Sequence, residues 1–219
     1  MTNPNQIVDH INELITYLVT ISLADDQCFA FQRPDRDIVQ VTFEGAEHVS
    51  IALRDRSYRE IYQHLKQDRA YNVKMLDGAL IQMMYAFANG TLQRHRLAFF
   101  PAPHLEEFQN NPDIYQDDEI HADVIAKNIV PFPVRFDYDA GHYQELVHPK
   151  SHLTLGQYEH CRIPVTAPMT PFWFIDFILR NFYHTASVRY TDRLPAQGGS
   201  FAESILPAER DVVHMVVPA

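Results

Sequence analysis

The chain has 219 residues, of which 46% are hydrophobic and 12% aromatic, so it can bury a substantial core and wholesale disorder is excluded. Seven glycines exclude a collagenous architecture, and a formal net charge of −10 excludes a globally basic nucleic-acid clamp while leaving room for a local basic patch. Two cysteines, Cys28 and Cys161, form no framework, which points to a reducing, cytoplasmic location. The first residues lack a basic signal-peptide region, and no stretch approaches the ~18 apolar residues of a membrane span, so no membrane association is expected.

Ile7, Ile11, Leu14, Ile15, Leu18 and Ile21 recur at helical spacing and predict an amphipathic helix over 1–24, ended near Asp25-Asp26. Alternation from Ile38 to Phe43 predicts a strand, and Val49, Ile51 and Leu53 predict a second one after a turn at Glu44–Glu47. Ser57 and Glu60 match a capping box, and Tyr58, Ile61, Tyr62 and Leu65 carry a short helix over 57–68. Met75–Phe87 and Leu92–Phe100, joined by Asn89-Gly90, predict a long antiparallel hairpin. Residues 104–123 hold seven acids and no Lys or Arg, which predicts a solvated acidic loop. Val134–Tyr138 and Tyr143–Leu155 predict a second hairpin turning at Asp139–Gly141. Thr170-Pro171 is an N-cap with proline at the first helical position, and a helix follows to about Tyr183. Val212–Val217 is a candidate edge strand. Neighbouring hairpins imply an α+β fold: one domain over 1–219, an antiparallel sheet built from hairpins with helices packed mainly on one face.

Among the 12 histidines, His148 and His152 stand apart, because His148-Pro149-Lys150-Ser151-His152 puts two imidazoles, a hydroxyl and an ammonium within five residues. On a strand, His148, Lys150 and His152 share one face. Two histidines can divide the acid and base roles of phosphodiester cleavage, with Lys150 or Arg162 stabilising the transition state. Arg135, Asp137 and Tyr138 belong on the adjacent strand. The competing reading is a structural turn in which Ser151 and His152 satisfy backbone groups. A metal site would need a third ligand from Asp137, His142 or His160, and Pro149 opposes the helix that such His spacing suits, so neither metal nor cofactor is expected. Asp77 reads as a turn or cap residue and Cys161 as a structural thiol. No GxSxG elbow, P-loop or GxGxxG motif occurs. Residues 54–96 carry eight basic side chains against four acids. That positive stretch beside the acidic loop fits a nucleic-acid site, a protein-docking face or an ordinary dipolar surface.

Lys74–Tyr85, His95–Pro101, His148–Gly156, Cys161–Val165 and Phe177–Tyr183, read together, resemble a bacterial domain-of-unknown-function family whose members are encoded beside a helicase in two-gene phage-defence systems. The likeness spans about residues 36–185. It implies a helicase partner and an antiphage role, but it brings no catalytic residues with it. The block 134–183 is also loosely similar to small toxins with a His-rich segment before their last helix. Two functions follow. One is a metal-independent nuclease effector using His148, His152 and Lys150, with Arg135, Ser151 and Arg162 binding substrate. The other is a non-catalytic subunit that binds the helicase or senses nucleic acid. Convergence of His148, His152, Arg135 and Arg162 in a cleft favours the first; a buried, backbone-bonded His152 favours the second.

Overall fold

The computed structural model describes residues 2–53, 56–103 and 131–218, so the acidic segment 104–123 lies outside the described residues. Helix α1 (Pro4–Thr20) begins with a capping box in which the Asn3 side chain accepts from the Gln6 amide. It buries Ile7, Ile11, Leu14, Ile15 and Leu18 along one stripe. Strands β1 (Ala24–Gln27), β2 (Phe31–Asp35) and β3 (Ile38–Thr42) follow. A 3-10 helix over Ala46–Leu53 replaces the strand expected at 49–53. Helix α2 (Tyr58–Gln67) carries the capping box of Ser57 and Glu60.

Strands β4 (Val73–Met75), β5 (Leu80–Ala88) and β6 (Thr91–Phe100) come next. The strand expected from Met75 is split at Asp77-Gly78. Asp77 Oδ1 accepts from the Ala79 amide at 3.1 Å, and Gly78 has a φ of 85°. A Cβ there would also sit 3.1 Å from the Tyr62 hydroxyl, so the turn requires glycine. Asn89 and Gly90, with φ of 49° and 75°, make the tight turn between β5 and β6 that their residue types specify. Strands β7 (Val134–Asp139), β8 (Ser151–Leu155) and β9 (Ile163–Pro164) complete the sheet. Residues 143–150 form turns closed by a single Gln144–His148 bridge, so the returning strand starts at Ser151, later than expected. Helix α3 (Pro171–Phe182) has Thr170 as N-cap, and α4 (His184–Tyr190) and α5 (Pro207–Arg210) follow. In place of an edge strand at 212–217, only Met215 bridges the sheet, parallel to Val165.

The strands pair antiparallel in the order β1-β4-β5-β6-β7-β8-β9, with β3 also on β5 and β2 outside β3. Strand alternation gives the sheet two unlike faces. Met83, Leu97, Phe136 and Leu153 form one cross-strand row, and all four are buried. Helices α1 and α3 cover this face; Phe136 meets the Phe174 and Phe177 rings of α3 at 6.1 and 5.1 Å. The next row, Met84, Arg96, Asp137 and His152, faces the other way. Helix α2 covers one end of that second face, packing Ile61 and Leu65 near Leu80, Ala98 and Phe100. The two longest helices therefore share the apolar face.

Phe136 is 1% exposed at the centre of this packing. Phe136→Ala is expected to cost ~3–5 kcal/mol and lower the melting temperature by roughly 6–20 °C, read by thermal denaturation followed by circular dichroism.

Candidate functional site

Beyond the end covered by α2, the second face opens into a cleft of about 1100 Å³. Its floor carries Arg94 and Arg96 from β6, Arg135 and Asp137 from β7, and His152 and Thr154 from β8. The antiparallel register brings them together: Arg96 lies opposite Asp137 and Asp137 opposite His152, with Arg135 opposite Thr154. His148, Tyr158, Cys161 and Arg162 form part of the wall.

His152 is 4% exposed. Its Nδ1 lies 2.9 Å from the Pro149 carbonyl, and because a carbonyl only accepts, Nδ1 carries the proton. Nε2 is then the free nitrogen, 4.0 Å from Asp137 Oδ2. Burial lowers the pKa of the ring, and the Asp137 carboxylate opposes that shift. His148 is held in the same way, donating from Nδ1 to the His142 carbonyl at 2.6 Å. The two rings lie 4.9 Å apart at 55°. Both imidazoles thus have Nδ1 anchored to backbone and Nε2 left for a ligand.

The cleft is rich in guanidinium. Arg135 Nε is 3.8 Å from Asp137 Oδ2, too far for a hydrogen bond. Among the described residues, Nε and Nη2 of Arg96 and Nε of Arg135 are enclosed without a hydrogen-bond partner. Such a surface favours an anion.

The structure therefore brings His148, His152, Arg135 and Arg162 into one cleft. Lys150 is elsewhere: its ammonium lies 5.5 Å from the centre of the Tyr143 ring. Ser151 faces the opposite side of the sheet from its neighbour His152, and its buried Oγ accepts from Ser204 at 2.9 Å. Arg94 and Arg96 were not singled out as site residues by sequence reasoning. Their only signal was alternation with His95 and Leu97, readable once the apolar face is known. Cys161 Sγ accepts from the Leu155 amide at 3.4 Å, a contact within the wall. Among the described residues, no three His, Cys, Asp or Glu side chains gather into a metal-holding group. No described helix is long and apolar enough to cross a membrane.

His95 lies beneath the floor, on the apolar side. Its Nε2 accepts from the Met169 amide at 3.1 Å, which requires a neutral ring. Burial pushes its pKa down from 6.5 to about 4. Between those values the unfolded chain binds the extra proton, so stability is complete above 6.5 and declines as pH falls toward 4. The expected loss across this window is on the order of 3 kcal/mol. Buried His10 and His152 shift in the same direction. Urea denaturation at stepped pH is expected to show the decline, and His95→Asn is expected to flatten it.

The profile of a family described as uncharacterized conserved protein (DUF2290) matches residues 23–217. No curated protein and no solved structure matches the chain.

Proposed function

The chain belongs to the DUF2290 family, and from its cleft we propose a metal-independent nuclease effector of a helicase-associated antiphage system. One observation carries this reading: two imidazoles, each with Nε2 free of a hydrogen bond, share a cleft with guanidinium nitrogens that lack a hydrogen-bond partner among the described residues. The helicase partner and the defence role rest on the motif resemblance of His148–Gly156 and Phe177–Tyr183.

RNA is the substrate that asks least of this cleft, because its 2′-hydroxyl supplies the nucleophile and only proton transfers remain. Nε2 of neutral His152 takes the 2′-hydroxyl proton as the oxygen attacks phosphorus. Asp137, 4.0 Å from that nitrogen, stabilises the imidazolium that forms. Protonated His148 gives a proton to the departing 5′-oxygen, leaving a 2′,3′-cyclic phosphate. Arg162 stabilises the charge that builds on the pentacoordinate phosphorus. Lys150, placed against Tyr143, takes no part.

A second reading is a non-catalytic subunit that binds the helicase or senses nucleic acid. The burial of His152 and its bond to the Pro149 carbonyl favour it, since a structural histidine is held in the same way.

Purified protein, incubated with labelled single-stranded RNA or DNA in the presence and absence of EDTA, separates the two. The effector reading expects RNA cleavage that persists in EDTA and falls by roughly 10²–10⁴-fold in His148→Asn and in His152→Asn. Intact RNA, or cleavage by both variants at the wild-type rate, would leave the accessory-subunit reading.

A further inference from the structure

We infer that Arg96 and Arg135 form a phosphoryl-binding subsite of the cleft, adjoining the two imidazoles. It holds a phosphoryl group whether or not the histidines cut a strand, so it goes beyond the cleavage reading.

The inference starts from a charge imbalance. Arg96 and Arg135 stand on adjacent strands, β6 and β7, and both line the cleft. The enclosed Nε and Nη2 of Arg96 and Nε of Arg135 donate to no described residue. Asp137, directly opposite Arg96 and 3.8 Å from Arg135 Nε, is one carboxylate between two guanidiniums. Asp139, opposite Arg94, and Glu159 line the same cleft, but Asp137 is the carboxylate these two guanidiniums share, which leaves one positive charge for a ligand to compensate. Burial and the nearby Arg135 both work against the Arg96 charge, and Asp137 only partly offsets them. A buried charge left this way is costly unless an anion joins it.

A phosphoryl group suits guanidiniums carried on two adjacent strands, because its oxygens are arranged in three dimensions and can accept from both. Arg96 lies two strands from His152, about 10 Å at the backbone, while Arg135 stands on the strand between them, and Asp137 Oδ2 is 3.8 Å from Arg135 Nε and 4.0 Å from His152 Nε2. The subsite therefore adjoins the imidazoles at Arg135 and extends away from them at Arg96. A strand passing over the floor would thus present one phosphate to the imidazoles and another to the arginines.

The test is thermal denaturation in sodium phosphate against sodium chloride of equal ionic strength, followed by a nucleoside 5′-monophosphate and a short oligoribonucleotide. Near 100 times its Kd, phosphate is expected to raise the melting temperature of the wild type by roughly 5–10 °C. His152→Asn is expected to keep that shift, which separates this subsite from the cleavage reading. Arg96→Met and Arg135→Met are expected to lose it. Without phosphate, Arg96→Met is expected to melt at or above the wild type, because an uncompensated charge has been removed. A larger shift with the oligonucleotide than with the monophosphate assigns the subsite to strand phosphates, and equal shifts assign it to a mononucleotide. The inference is overturned if phosphate leaves the wild type unmoved, if Arg96→Met keeps the full shift, or if that variant melts well below the wild type without phosphate.

Discussion

Everything in the cleft depends on the register of β6 against β7 and of β7 against β8. Side chains alternate between the faces of a sheet, so the pairing that stacks Leu97 on Phe136 and Leu153 also aligns Arg96, Asp137 and His152 on the other side. A slip of β7 by one residue would turn Asp137 toward α1 and α3 and carry Phe136 to the open face. Packing of Phe136 against Phe174 and Phe177 thus does more than fill the core. It holds the charged row in place on a face that no described helix covers beyond α2.

That face is expensive to maintain. Enclosed guanidiniums with one shared carboxylate, and a histidine held almost free of solvent, oppose stability unless a ligand repays them. The apolar side carries the burden through a continuous core from α1 across the sheet to α3. The division of labour is physical: one face of the sheet stabilises the fold, and the other presents charge to an anionic partner.

Much of this was legible in the sequence. The apolar spacing of α1, the capping box of Ser57, the Asn89-Gly90 turn and the Thr170 cap declared their elements because each rests on local chemistry. Strands β1, β4 and β9 left little trace, being at most four residues long, and β2 is exposed along its length and contains Pro34. At the site, the pairing of His148 with His152 was legible. The strand starts at Ser151, so Lys150 sits among turns beside Tyr143, and Ser151 points away from His152 by simple alternation. Arg96 was hidden in a general excess of basic residues, because only the packing of α1 and α3 shows which face of β6 stays open.

The most direct test of the central claim is long-range proton–nitrogen NMR on His148 and His152 above pH 8, with and without an RNA oligonucleotide carrying a 2′-deoxy sugar at the cleavage position. Two backbone-anchored imidazoles facing a phosphodiester should both be Nδ1–H tautomers, and their Nε2 resonances should move when the oligonucleotide is added. An Nε2–H tautomer at either ring, or resonances indifferent to saturating oligonucleotide, would contradict the account.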